Sequence, residues 1–290
     1  MVALTYHAPE SVEEAVQLLS TASQPVKVLS GGTDLIIQMQ SLIQDERWVV
    51  DVKKIPGMRS ADWRADHLRL GPSMSCAQFT KRQDIKAVFP GLVEAAYLIG
   101  STQVQGRASI GGNLCNASPA ADTIPALIAN NALCLVQGIN GTRRVSVADF
   151  VTGVGKHCMS SDELLIAIEV PKPAARTMDA YLRFIPRTEM DIAVAGAAVS
   201  VTLDDNGVCT AARVVIGAVA PTAILVPSAA DALIGTKLDD DALLAAAAAS
   251  SEAASPITDR RGTVEFRRHV VGVLTKRAAK IAATRAGAVQ

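Results

Sequence analysis

The chain has 290 residues, 49% of them hydrophobic and 19% charged, with 28 basic side chains against 28 acidic ones. This is a globular composition with length enough for two domains. The balanced charge excludes nucleic acid or a membrane surface as the main partner, because both need a basic field, and 3% aromatic residues leave no base-stacking platform.

The opening residues lack the basic start and apolar core of a secretion signal. Ser11-Val-Glu-Glu14 is a capping box, followed by Val12, Ala15, Val16 and Leu19 at helical spacing. Val26 to Leu29 is a short β-branched run leading into Ser30-Gly-Gly-Thr-Asp34, and Leu35 to Ile43 reads as a helix. Trp48 to Val52 is a strand, so a β-α-β-α-β unit closes near Pro56.

A second unit follows, with a strand at Leu68–Leu70 and helices at Ser75–Lys81 and Gly91–Gly100. Ala108-Ser-Ile-Gly-Gly-Asn113 is a second glycine segment, and Asp122 is placed to cap a helix over Ile124–Asn130. Strands are expected at Ala132–Gln137, Arg143–Val147 and Leu164–Val170, the last alternating as a half-buried strand does. Pro171-Lys-Pro-Ala-Ala-Arg176 marks a boundary. Beyond it, Ala197–Leu203 and Arg213–Val219 flank a turn at Asp205-Asn-Gly207, and helices follow at Val226–Ile234, Asp240–Ala253 and Val264–Ala283. No apolar run approaches the ~20 residues that cross a bilayer.

The two glycine segments carry the chemistry. Glycine lets the backbone approach a ligand closely, so several N–H groups can converge on an anion, and seryl and threonyl hydroxyls add donors. Each segment by itself is compatible with a plain turn. Neither has the spacing of a Rossmann fingerprint or a P-loop. Together they suggest a dinucleotide gripped from both sides, with Gly111 and Gly112 both approaching it.

At this point the residues form a pattern. Val28-Leu-Ser-Gly-Gly-Thr-Asp-Leu35, Ala108-Ser-Ile-Gly-Gly-Asn-Leu-Cys-Asn-Ala-Ser-Pro-Ala-Ala-Asp122, Glu163–Pro171, Arg187…Asp191-Ile-Ala193, Ile216–Pro221 and Ser255–Arg261 occur in order along the chain. The chain resembles the FAD-binding medium subunits of the molybdenum hydroxylases, the family of xanthine dehydrogenase and aerobic carbon monoxide dehydrogenase. The resemblance implies an α+β protein. A two-subdomain FAD-binding α/β domain of the PCMH type would span residues 1–172, with subdomains at about 1–57 and 58–172. An α+β C-terminal domain with an antiparallel sheet and helices, 177–290, would close over the isoalloxazine and help to dock partners.

The resemblance also implies roles. Leu29, Ser30, Gly31, Gly32, Thr33, Asp34 and Leu35 would bind the pyrophosphate and a ribose of FAD. Ala108, Ser109, Gly111, Gly112 and Asn113 would cover its other side, with Asn116 at a position that contacts the flavin. Asp122 would hold an adenosine ribose hydroxyl, and Leu164 or Ile166 would lie against a ring face. Arg183 stands where relatives often carry a lysine near the isoalloxazine; it keeps the charge but presents a planar fork. Molybdenum–pterin and [2Fe–2S] clusters are expected only in partner subunits, a large and a small one, as a heterotrimer or dimer of heterotrimers. Electrons would pass from those clusters through this chain to an external acceptor.

The remaining features read plainly. The basic residues Arg267, Arg268, Lys276, Arg277, Lys280 and Arg285 are expected on the solvated face of the last helix, with Phe266, Val270, Val273, Leu274 and Ile281 as its apolar side. The four histidines are scattered and form no ligand cluster, so neither a metal nor a catalytic residue is expected here. Five widely spaced cysteines fit no disulfide framework, which points to the cytoplasm, and Cys115 reads as a small apolar side chain. Two other readings stay open at this level: a self-contained FAD-dependent oxidoreductase, and a non-redox nucleotide-binding scaffold.

Overall fold

The computed structural model describes residues 4–41 and 47–287. Strand β1 (Leu4–His7), helix α1 (Val12–Thr21), β2 (Val26–Leu29), α2 (Leu35–Ser41) and β3 (Arg47–Asp51) form the first layer. Its sheet is parallel in the order β1-β3-β2. Ser11 caps α1 through a bond from the Glu14 N–H, as the capping box predicts. The last positions of the helix expected to reach Ile43 lie outside the described residues.

The second layer contains β4 (Ala61–Trp63), β5 (His67–Leu70), α3 (Cys76–Phe79), α4 (Gln83–Lys86), α5 (Pro90–Tyr97), α6 (Thr102–Gln105), α7 (Ile110–Asn116) and α8 (Thr123–Ala129). It continues with β6 (Leu133–Gly138), β7 (Gly141–Ser146), α9 (Val147–Phe150), a β8–β9 hairpin (Val151–Gly153 and Lys156–His157) and β10 (Leu164–Pro171). Its five-stranded sheet, β4-β5-β10-β6-β7, is antiparallel throughout. Phe79, Phe89 and Phe150 are fully buried in its core, each contributing roughly 1.5–3 kcal/mol of apolar burial.

β10 departs from the half-buried expectation. Seven of its eight residues are buried, because the sheet is covered on both faces. Leu164 and Ile166 pack with Ala15, Val16 and Leu19 of α1, whereas Leu165, Ile168 and Val170 join the second core. An irregularity between Leu165 and Ala167 shifts the pairing with β6. The inserted residue reverses which positions face which side.

The C-terminal part comprises β11 (Thr177–Phe184), β12 (Ala195–Leu203), β13 (Cys209–Gly217), β14 (Ile224–Leu225), α10 (Pro227–Asp231), α11 (Asp240–Ala253) and α12 (Val264–Ala286). Its antiparallel sheet runs β11-β12-β13-β14, with the alanine-rich faces of α11 and α12 on one side. β11 is a strand the sequence patterns did not reveal. The last helix also corrects its expected faces. Its buried side is made of small residues, Ala278, Ala279, Ala282 and Ala283 with Val271 and Leu274, while Phe266 is exposed. Arg267 is buried and donates to the Val194 and Ala218 carbonyls and to Asp259, and Arg285 pairs with Glu94.

Candidate functional site

The sequence delivers one glycine segment after β2 and the other at the start of α7, and the fold brings them together. The Ser30 and Ser109 hydroxyls meet at 2.8 Å, and Gln38 Nε2 donates to Asn116 Oδ1 at 3.2 Å. Between them lies a cleft of about 500 Å³, within the range of dedicated small-molecule and cofactor sites. It is lined by Ser30, Gly31, Gly32, Thr33, Asp34 and Leu35 on one side, and by Ala108, Ser109, Gly111, Gly112, Asn113 and Asn116 on the other. Leu164 belongs to its lining as well.

The two walls supply different donors. Gly32, at φ +80°, turns the first segment, a conformation that favours glycine. The backbone N–H groups of Gly31 to Asp34 meet no acceptor among the described residues. The second segment is helical rather than a loop. Ser109 caps it by accepting from the Gly112 N–H at 3.1 Å, the Asn113 N–H bonds the Ser109 carbonyl, and the Gly111 N–H bonds the Pro72 carbonyl. The N–H groups of Gly111, Gly112 and Asn113 are therefore already paired, and what these residues and Ser109 offer the cleft is side chains. The Ser30 and Ser109 hydroxyls share one hydrogen bond, which leaves one O–H of the pair to donate to a ligand. Asn113 Oδ1 accepts from the Thr123 hydroxyl at 2.6 Å, which leaves its amide N–H groups as donors.

The glycines also differ in what they face. A Cβ on Gly31 would lie 2.2 Å from the Arg107 carbonyl oxygen, and one on Gly111 would lie 2.4 Å from Pro72 Cβ. These two glycines let backbone pack on backbone. A Cβ on Gly112 would meet only Ser109 Oγ inside 3 Å, with Ser30 at 4.0 Å. Both Gly111 and Gly112 line the cleft, and of the two it is Gly112 whose Cβ position is free of backbone contacts.

Four of the predicted residues lie elsewhere. Leu29 and Ile166 do not line the cleft, and Ile166 packs behind it with α1. Asp122 is buried, with Oδ1 accepting from the Tyr181 hydroxyl at 2.8 Å and Oδ2 from Arg183 Nη1 at 2.6 Å. Burial pushes its carboxyl up to about 6, against the opposing pull of Arg183 and Tyr181. Its backbone is helical and its side chain caps nothing. The α8 N-terminus is instead served by Asn113, which accepts from the Thr123 N–H at 3.4 Å. Asp122 is not among the residues lining this cleft, and Arg183 is held with it.

Other cleft residues escaped the sequence reading: Pro72, Ser73, Ile99 and the 157–163 approach to β10, including His157. Ser73 Oγ and His157 Nδ1 are buried without a hydrogen-bond partner among the described residues, which suits the site to further polar contacts. Burial lowers the His157 pKa, which favours the neutral ring. Lys53 supports the first segment from behind, donating to the Ser30 carbonyl at 2.9 Å. No sequence signal distinguishes these residues, because each reaches the cleft only through tertiary packing. Enclosure pushes the Cys115 thiol up to about 12, in keeping with its reading as an inert apolar side chain. Among the described residues no cluster could hold a metal ion, and no helix is long and apolar enough to cross a membrane.

Comparison with known proteins gives this geometry a context. Residues 2–173 match the FAD binding domain in molybdopterin dehydrogenase, and residues 180–282 match the CO dehydrogenase flavoprotein C-terminal domain. The chain is 30% identical to the xanthine dehydrogenase FAD-binding subunit of Escherichia coli O157:H7, over 98% of this chain and 97% of that one. It is 31% identical to the carbon monoxide dehydrogenase medium chain of Hydrogenophaga pseudoflava, over 94% of each. A solved structure of the Hydrogenophaga pseudoflava carbon monoxide dehydrogenase superposes with a TM-score of 0.92 at 32% identity, covering 97% of this chain and 98% of that one. Quinoline 2-oxidoreductase from Pseudomonas putida 86 follows at 0.89 and 25%, covering 98% of each chain. With a matched FAD-binding domain, a matched flavoprotein C-terminal domain and full-length relatives above 30% identity, the chain belongs to the FAD-binding subunits of the molybdenum hydroxylase family of oxidoreductases.

Proposed function

We propose that the cleft between the two glycine segments is the FAD site, and that the chain carries electrons from the iron–sulfur clusters of a small partner subunit to an external acceptor. The convergence of Ser30–Leu35 and Ser109–Asn116 on one cleft carries this reading. The unspent N–H groups of Gly31 to Asp34 suit a pyrophosphate, and the hydroxyl of Ser109 and the amides of Asn113 and Asn116 suit polar groups opposite. Ser73 Oγ and His157 Nδ1, without a partner among the described residues, offer two further contacts. Leu164 supplies an apolar wall that excludes water. Bound there, FAD supplies the conversion between two-electron and one-electron transfer, and the protein sets its orientation and surroundings. Asp122 and Arg183, which the family resemblance assigns to the cofactor, pair with each other.

A large molybdenum–pterin subunit completes the proposed assembly, as a heterotrimer or a dimer of heterotrimers, in line with the "medium chain" naming of the Hydrogenophaga relative. The division into a flavin domain of residues 1–172 and a C-terminal domain of 177–290 is part of the same proposal. A cytoplasmic setting agrees with five free cysteines. The test is the visible spectrum of the chain purified with its co-purifying subunits. Stoichiometric flavin, released on acid denaturation, is expected. A folded complex without flavin that added FAD does not reconstitute would overturn the reading.

One substitution separates binding from folding. Gly112→Ala places a methyl group against the movable Ser109 hydroxyl at the cleft. The melting temperature is expected to fall by no more than about 3 °C, the equivalent of roughly 1 kcal/mol. FAD affinity is expected to fall about tenfold by fluorescence titration. Unchanged affinity would remove Gly112 from the site.

A further inference from the structure

β2 and β3 are parallel, and their register pairs Leu29 with Asp51, so the two strands leave the sheet side by side. β2 runs into the first glycine segment at Ser30. β3 runs into a single 3-10 turn, Val52–Lys54, which Asp51 caps by accepting from the Lys53 N–H at 3.0 Å. Val52 and Ile55 are buried with Ala15, Val16 and Leu19 of α1, which anchors the turn in the core. Between them Lys53 reaches across to the neighbouring chain, where its Nζ donates to the Ser30 carbonyl at 2.9 Å.

The lysine is itself held. Its Nζ lies 2.7 Å from Asp51 Oδ1, and Asp51 Oδ2 accepts from the Tyr6 hydroxyl of β1 at 2.7 Å. Burial would raise the Asp51 carboxyl, but the hydrogen bonds from Lys53 and Tyr6 outweigh it and hold the group below its ordinary value. Residues from all three strands of the first sheet and its turn thus converge on one carbonyl. A lysine–aspartate pair open to solvent contributes little to stability. What this one provides is a fixed peptide plane.

The Ser30–Gly31 peptide is trans, so its carbonyl and its N–H point in opposite directions within one rigid plane. Holding the carbonyl on Lys53 therefore aims the Gly31 N–H away from Lys53. Ser30 and Gly31 line the cleft and Lys53 does not, and the Gly31 N–H meets no acceptor among the described residues. A charged donor on the carbonyl also polarises the same peptide, which strengthens its N–H. The contact between the Ser30 and Ser109 hydroxyls fixes the side chain and leaves the peptide plane to Lys53. We propose that Lys53 is a positioning residue for the cofactor: by gripping the Ser30 carbonyl it presents the Gly31 N–H to the FAD pyrophosphate. This rests on the reading that FAD occupies the cleft.

Ser30–Gly31 is the only Ser–Gly step in the sequence. Isotopic labelling of serine carbonyl carbons and glycine nitrogens therefore selects the Gly31 amide alone in an NMR spectrum. The full chain and its Lys53→Met and Lys53→Arg variants, stripped of flavin, are compared by this resonance, by fluorescence titration with free FAD and by melting temperature. Lys53→Met is expected to shift the Gly31 resonance and to weaken FAD about tenfold, as the loss of one hydrogen bond from a charged donor does. Lys53→Arg keeps the charge and the donors and is expected to restore both. FAD affinity within twofold of wild type in Lys53→Met would overturn the proposal. So would weaker binding with an unmoved Gly31 resonance, which would make Lys53 a distant charge, or a lower melting temperature without recovery by arginine, which would make it a structural pair. If Lys53→Met does not fold, Lys53→Gln, which also removes the charge, decides on the same readings. If the folded wild type binds no FAD, the reading of the cleft fails instead, and inorganic pyrophosphate is titrated against the Gly31 resonance. A shift in wild type that Lys53→Met lacks then supports the role of Lys53, and any other result overturns it.

Discussion

Replacing Gly31 with alanine is expected to strip the chain of flavin. The added methyl carbon would lie 2.2 Å from the Arg107 carbonyl oxygen and 2.9 Å from its carbonyl carbon. Both are backbone atoms, so no side chain can rotate away. The two glycine segments must part, and the contact between the Ser30 and Ser109 hydroxyls opens with them. Overpacking of this kind costs roughly 1–3 kcal/mol, and the loss falls on the geometry that brings both walls to one ligand. More than a tenfold drop in flavin per chain is expected, read from the visible absorbance of the purified protein. Gly153→Ala is the control, since a Cβ there meets nothing closer than 3.9 Å. Full flavin content in Gly31→Ala would show that the segments can separate without losing the cofactor.

The second large effect is expected at Asp179. From β11 its carboxylate accepts from the Gly91 N–H at 2.8 Å, the Leu92 N–H at 3.0 Å and Asn130 Nδ2 at 2.7 Å. It thereby caps α5 across the seam between the second and third sheets, where a Cβ on Gly91 would lie 2.8 Å from the Ala180 backbone. Asp179→Ala leaves those donors buried without their acceptor, at a cost of roughly 1–3 kcal/mol each before relaxation. A total loss of about 3–5 kcal/mol is expected, or about 10 °C in melting temperature. A shift under about 3 °C would mean that water or a neighbour replaces the carboxylate.

The same residue makes a pH prediction. Burial pushes the Asp179 carboxyl up to about 6 from 3.8, with the nearby Glu94 adding to it and the three hydrogen bonds opposing it. A carboxyl that binds its proton more tightly when folded stabilises the fold below its unfolded pKa. That contribution is lost as pH rises through the folded value. Wild-type stability should therefore lose a component between about pH 4 and 6 that Asp179→Asn lacks. Asp122 shifts in the same direction and over the same window, so the difference between the two proteins is the informative quantity. Parallel curves for both would assign the pH dependence to other groups.

How much of this was legible beforehand differs element by element. Helix α11 was delimited from its sequence at Asp240–Ala253, because Asp239, which accepts from the Ala242 N–H, and the acidic first turn act locally. The turn at Asp205-Asn-Gly207 was equally readable, since Gly207 sits at φ +78° and glycine favours that region. β11 was not readable. Its Asp-Ala-Tyr-Leu-Arg run looks polar until both faces are known to be buried, one against alanine helices and the other against α5 and α8. The last helix misled for a similar reason. Its apolar residues are not all on the packed face, because a close helix–sheet contact is made by alanines and a buried Arg267 that finds carbonyl acceptors.

For the site, the sequence by itself determined where the backbone could turn tightly and where hydroxyl and amide donors were concentrated. Those properties belong to single residues and their neighbours, and the pattern they make was enough to indicate the family. Only the tertiary structure decided what each group faces. It paired the N–H groups of Gly111, Gly112 and Asn113 with Pro72 and Ser109, set Gly31 and Gly111 against neighbouring backbone while Gly112 stayed clear of it, and gave Asp122 to Tyr181 and Arg183. The reason is physical: a buried polar atom takes whichever partner the packing delivers, and here that partner lies 59 or 61 residues away along the chain.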